Sequence, residues 1–161
     1  MLKRKNKPTR PLGADYERDY HAWAMRQADT LRSHQLNDLD VENLAEEVED
    51  LARQVTRELQ HRAEVLLTHL LKWQHQPEKQ GTSWQATIDE QRDRMTDLLR
   101  ENPSLAPQLG TILNHAYRYA RREAGLQMGL TKAQWEQQLP RSCPWDRKEI
   151  LNPVFLPRAR K

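Results

Sequence analysis

The chain has 161 residues, 37% of them hydrophobic, a mean hydropathy of −1.00 and a formal net charge of +3. That length suffices for a domain with a core of its own, and no apolar run approaches the ~20 residues of a membrane span, so no membrane partner is expected. The single cysteine, Cys143, cannot form an internal disulfide, and no apolar segment follows the N-terminal bases as a signal peptide requires, so a cytoplasmic location is expected.

Residues 1–14 read as a disordered basic arm, broken by Pro8, Pro11 and Gly13. Lys3, Arg4, Lys5, Lys7 and Arg10 give it five positive charges, and the basic tail 158–161 adds three with Arg158, Arg160 and Lys161. Against a whole-chain charge of +3, the middle therefore carries five net negative charges. The pI of about 9.1 belongs to the ends, and residues 15–157 read as a single acidic helical domain.

Helix one is predicted from Asp15 to His34, with a stripe of Tyr16, Tyr20, Trp23, Gln27 and Leu31. A polar turn, Asn37–Asp40, follows, with Asp40 as the expected cap of helix two. From Val41 to Trp73 apolar residues recur in steps of threes and fours: Val41, Leu44, Ala45, Val48, Leu51, Ala52, Val55, Leu59, Ala63, Leu66, Leu70 and Trp73. No Gly or Pro interrupts them, so one helix roughly 50 Å long is predicted. The stripe keeps a 3.6-residue period to Leu70, which favours a straight helix in a bundle over a long two-stranded coiled coil. Its first turns are purely acidic, with Asp38, Asp40, Glu42, Glu46, Glu47, Glu49 and Asp50 and no base among them. The helix dipole accounts for Glu42 but fades before Glu49 and Asp50, which leaves a solvated face, a docking surface for a basic partner or a metal site.

Pro77 and Gly81 mark a loop, and Thr82 or Ser83 is the expected cap of helix three, which runs to Glu101 on Trp84, Ile88, Met95, Leu98 and Leu99. Gln91 falls on that stripe, as a buried amide in need of partners. After the turn Asn102-Pro103-Ser104, helix four is expected to be capped by Ser104, to carry Leu105, Leu109, Ile112, Ala116, Tyr119 and Ala120, and to stop at Gly125. A short fifth helix is predicted over 132–139, then a strap from Cys143 to Pro157 whose aromatics pack back. No strand signal and no repeat appears. The predicted fold is all-α, an up-and-down bundle of four main helices around one long central helix, with a small fifth helix and a C-terminal strap.

Three constellations carry chemistry. Glu58, Arg62 and His69 fall on one flank of the helix-two stripe, either as a structural network or as a binding cluster. Glu58 and His61 match the Glu-x-x-His spacing of di-iron bundles, but no second such pair exists, so no metal or other cofactor is expected and a metal or carboxylate enzyme is the weakest reading. On helix four Arg118, Arg121 and Arg122 share an outward face with Tyr117 beside them, a pattern that suits phosphates and bases or a solvated acid-paired face. No nucleophile elbow and no glycine-rich phosphate loop is present, and Cys143-Pro144 reads as a packed strap.

Five blocks resemble a known family: Tyr16 to Trp23, Leu44 to Leu51, His69 to Pro77, Ser83 to Ile88 and Cys143 to Trp145. In order and spacing they are similar to the bacterial family known as domain of unknown function twenty-nine, from about Asp15 to Pro157. The resemblance implies an all-helical fold and assigns no activity, no catalytic residue and no role to Glu46, Glu47, Glu49 or the His69-to-Pro77 segment. The residues themselves favour a non-enzymatic protein–protein interaction module of the bacterial cytoplasm, with an unidentified protein or a second copy of the chain as partner. The candidate positions are Glu46, Glu47, Glu49, Glu58, Arg62 and His69. Nucleic-acid binding through the basic ends and Arg118, Arg121, Arg122 and Tyr117 is the alternative.

Overall fold

A computed structural model describes residues 15–159. Every regular element among them is helical: α1 (Tyr20–Arg32), α2 (Val41–His75), α3 (Thr82–Glu101), α4 (Leu109–Gln127), α5 (Lys132–Gln138) and α6 (Arg147–Leu151), so the fold is all-α. None of these helices is long and apolar enough to cross a membrane. The predicted arm 1–14, and Arg160 and Lys161 of the predicted tail, lie outside the described residues. The described residues fall into two compact units, one ending at Arg53 and the other beginning at Gln54, and α2 contributes to both.

In the first unit α1 packs on the opening turns of α2. The helix begins at Tyr20 rather than Asp15 because the Asp19 carboxylate accepts the Ala22 N–H at 3.0 Å and fixes the N-terminus there. It ends in a Schellman motif: the Gln35 N–H donates to the Thr30 carbonyl and the His34 N–H to that of Leu31, with His34 left-handed at φ 57°. The centre of the unit is polar as well as aromatic. Trp23 is buried, and its indole N–H donates to Asp40 at 3.0 Å. The buried Asp40 also accepts from the Asn43 amide at 2.7 Å, and its own N–H donates to Gln27 at 2.9 Å. The rings of Tyr16 and Tyr20 stand 4.8 and 5.7 Å from that of Trp23.

The second unit is built on the rest of α2. Arg62 reaches Gln91 and Lys72 lies over Trp84, so rising numbers on α2 meet falling numbers on α3 and the two helices are antiparallel. Thr56 and Gln60 line one groove with Thr111 and His115, while Lys72 donates to Gln127 at 2.8 Å, so α2 and α4 run parallel. The result is an up-down-up bundle of α2, α3 and α4; the expected fourth helix, α1, belongs to the first unit. Leu59, Ala63, Leu66, Leu67, Leu70 and Leu71 of α2 meet Ile88 and Met95 of α3 and Leu109, Ile112, Leu113, Ala116, Tyr117, Ala120 and Ala124 of α4. With Thr68 and Lys72 also buried, α2 is covered over roughly two-thirds of its circumference at about 100° per residue.

Several boundaries differ from expectation. Gly81, not Thr82 or Ser83, caps α3, and residues 103–108 form a 3-10 turn before α4, so Ser104 caps no α-helix. The helix α4 runs through Gly125 to Gln127, and Gly129, at φ +75°, makes the stop. Gly125 is needed for proximity: a Cβ there would lie 2.5 Å from Trp135 of α5. The strap contains α6, opened by a capping box between Asp146 and Glu149. It is held by the buried Arg92, whose Nε and Nη2 donate to the carbonyls of Ile150 at 2.9 Å and Phe155 at 2.6 Å.

Candidate functional site

The acidic opening of α2 separates into residues with different work. Glu47 turns toward α1 and accepts from both the Tyr16 and Tyr20 phenols, the latter at 2.7 Å. This hydrogen bond, with desolvation and the Glu47 charge behind it, pushes the Tyr16 phenol up to about 12. Glu49 and Asp50 bond to Arg53 at 3.0 and 2.7 Å and raise its pKa, the Asp50 bond contributing most. Glu42 and Glu46 are exposed and form no ion pair among the described residues.

Beside these acids lies an apolar side. Val41, Val48 and Leu51 are 64%, 63% and 62% exposed, although the 3.6-residue period had placed them on the core stripe. Leu44 between them is half-buried. At about 100° per residue Val41, Leu44, Val48 and Leu51 fall on one face, whereas Glu42 and Glu49 lie well round from it and Glu46 on the opposite side of the helix. No Lys or Arg occurs from Leu36 to Ala52 to offset the acids.

In the second unit the expected cluster of Glu58, Arg62 and His69 does not assemble. Glu58 accepts from Arg62 Nε at 2.7 Å, and Arg62 reaches the buried Gln91 amide at 3.4 Å, all on the α3 side. Gln91 was legible as a buried amide, and Arg62 is its partner. His69 points instead into a groove of about 360 Å³ between α2 and α4, shared with His61, Glu64, Tyr119 and Arg122. Its Nδ1 lies 2.9 Å from the Val65 carbonyl, an acceptor only, so Nδ1 carries the proton and Nε2 the lone pair. Burial lowers the His69 pKa, opposed by that hydrogen bond, and favours the neutral ring. Glu58 and His61 thus serve different sides of α2. Among the described residues no three His, Cys, Asp or Glu side chains gather as a metal site.

The basic face expected on α4 is reduced. Tyr117 is buried, and its hydroxyl donates to the Pro140 carbonyl at 2.8 Å, so it is not placed to stack on a base. Tyr119, assigned to the core stripe, is 50% exposed. Arg121 donates to the carbonyls of Glu136 at 2.6 Å and Leu139 at 2.9 Å and lies over Trp135, where it closes the C-terminus of α5. Arg118 and Arg122 remain exposed. Cys143 is half-buried, bonds the Trp145 carbonyl, and is held protonated by burial.

Sequence reasoning missed three buried polar anchors. Arg92 lies at the edge of the α3 stripe, beside the angles of Ile88 and Leu99, and that position was its signal. Lys72 carried none, because it faces away from the predicted stripe of a helix that is buried on most sides. Its Nζ lies 4.5 Å from the Trp84 ring centre, and burial lowers its pKa. The bond from Trp23 to Asp40 was hidden because the acid read as a cap and as part of the acidic block.

The family described as Domain of unknown function DUF29 matches residues 16–156, nearly the whole described chain, and the chain belongs to it. No curated protein matches the chain, and no solved structure does.

Proposed function

We propose that this member of the DUF29 family is a non-enzymatic protein-interaction module of the bacterial cytoplasm, and that the side of α2 between Val41 and Leu51 is its contact surface. One observation carries the reading. Three aliphatic side chains in line on an ordered helix are each more than 60% exposed, and contiguous apolar surface of this kind marks binding sites.

Affinity purification from the native host, at moderate salt and with and without nuclease, tests this. The wild type is expected to retain one protein in stoichiometric, nuclease-resistant amount, and the Val48→Asp/Leu51→Asp variant to lose it while keeping its helical circular dichroism. A chain that stays monomeric and retains nothing overturns the reading. Retained nucleic acid that is lost in Arg118→Ala/Arg122→Ala favours the α4 surface instead.

A further inference from the structure

The His69 groove lies wholly within the second unit, and its hydrogen-bonding groups are one-sided. The parallel helices α2 and α4 keep a steady register. Gln60 lines a groove with His115, and Lys72 bonds Gln127, 55 residues on. That register sets Glu64 level with Tyr119 and Thr68 level with Glu123, so the two glutamates lie about 6 Å apart along the helix axis. Most donors along this stretch are spent inside the protein. The Thr68 hydroxyl donates to the Glu64 carbonyl at 2.7 Å, and His69 Nδ1 to the Val65 carbonyl at 2.9 Å. The Gln60 amide donates to Glu64 Oε1 and the Gln127 amide to Glu123 Oε1, each at 2.8 Å. Three acceptors are left over: Glu64 Oε2, Glu123 Oε2 and His69 Nε2 have no partner among the described residues. His61 and Tyr119, both exposed, can donate or accept. Arg122 is exposed and forms no ion pair among the described residues. Two carboxylates against one guanidinium leave the lining acidic.

We propose that this groove binds a small organic cation, an alkyl guanidinium or ammonium group whose N–H bonds reach Glu64, Glu123 and His69 Nε2. A volume of about 360 Å³ accepts one such group with a short chain. Several separated acceptors suit the planar fork of a guanidinium. The half-exposed ring of Tyr119, level with Glu64, adds an aromatic surface that cations favour. An anion is the poorer occupant. The His69 proton is committed to Val65, which leaves Arg122 as the fixed positive charge against two carboxylates. The site shares no residue with the Val41–Leu51 surface and stands independently of the interaction reading.

The test is an NMR titration of the isotope-labelled full chain with butylguanidinium, with butylurea as the neutral analogue and butyrate as the anion. N-acetyl-arginine methylamide presents the same guanidinium on a peptide. Butylguanidinium is expected to shift the His69 imidazole and the amides of Glu64 and Glu123 saturably, and butylurea and butyrate to bind about tenfold more weakly or less. Glu64→Gln/Glu123→Gln is expected to weaken the cation about tenfold or more, because charged acceptors become neutral ones. Gln60 and Gln127 keep an oxygen to donate to in that variant, so the fold is retained, and circular dichroism checks it. Arg122→Ala is expected to tighten the cation, whereas it would weaken an anion. Either order of affinity between the two guanidinium compounds supports the site: the free compound ahead assigns a small metabolite, the peptide ahead a partner's arginine side chain. Equal binding of butylurea, preference for butyrate, weaker cation binding in Arg122→Ala, or no saturable shift overturns the proposal. Val48→Asp/Leu51→Asp is expected to leave the titration unchanged, so this site and the interaction surface fail separately.

Discussion

One helix, α2, is used in two opposite ways. Across Val41–Leu51 its aliphatic residues face solvent, and what it buries against α1 is a polar arrangement of Asp40, Trp23, Gln27 and Glu47. Across Leu59–Leu71 it buries six aliphatic side chains in a core shared with α3 and α4. The sequence pattern is nearly the same in both stretches. The difference comes from what stands opposite: two helices with apolar faces in one case, one short helix with a largely polar face in the other. Periodicity states which side chains share a face; burial also requires a partner with apolar surface to offer.

The largest effect that would sharpen this contrast is a cavity. Leu66→Ala, in the fully buried core, is expected to cost about 2–5 kcal/mol in thermal or urea unfolding. Val48→Ala is expected to stay within about 0.5 kcal/mol of wild type. Equal costs would mean that the exposed stretch is covered in solution.

Next comes the strap. Arg92→Met removes the donors to the Ile150 and Phe155 carbonyls and is expected to cost about 3 kcal/mol. It should also open residues 147–157 to trypsin before the bundle unfolds. Trp23→Phe is the counterpart in the first unit. It keeps an aromatic ring but removes the donor to the buried Asp40, and about 2 kcal/mol is expected from the loss of one bond to a charged acceptor. Global unfolding followed on α3 and α4 should move less than the α1 signals.

The smallest effect depends on pH. The Tyr16 phenol titrates at about 12 in the fold, against about 10 in the unfolded chain, because Glu47 accepts its proton in a hydrogen bond. The folded form therefore holds this proton more tightly. The contribution is fully present below pH ~10 and is lost as pH rises through about 12. The Trp23 indole N–H resonance should report that loosening, and Tyr16→Phe should flatten part of it. Tyr20, raised by the same carboxylate, leaves a remainder.

Much of the fold was legible because the helices are long and their breaks are chemically plain. Pro77, Gly81 and Pro103 bracket α3, and the stripes at 59–70, 88–95 and 109–120 became core. On α4 the tyrosines exchanged roles. The buried face keeps Leu109, Ile112, Ala116 and Ala120 of the predicted stripe and extends to Leu113, Tyr117 and Ala124, leaving Tyr119 outside, and a tyrosine fits either a core edge or a wet surface. The candidate site was legible as an acidic block, but its division was not. Whether a glutamate meets tyrosines, as Glu47 does, or solvent, as Glu46 does, depends on a second helix whose angle of approach no single stripe encodes. Arg92 and Arg121 were read among 26 bases as surface charge, yet both close C-terminal helix ends, a use that appears only once distant carbonyls converge on them.

The continuity of α2 through both compact units has a consequence for backbone amides. Its ladder from Val41 to His75 is unbroken, yet the two ends are secured by different neighbours. Amides near Leu44 to Leu51 should exchange with deuterium whenever α1 lets go, and those near Leu66 to Leu71 only when the bundle core itself opens. A single helix would then display two protection plateaus along its length, with the step between them near Arg53.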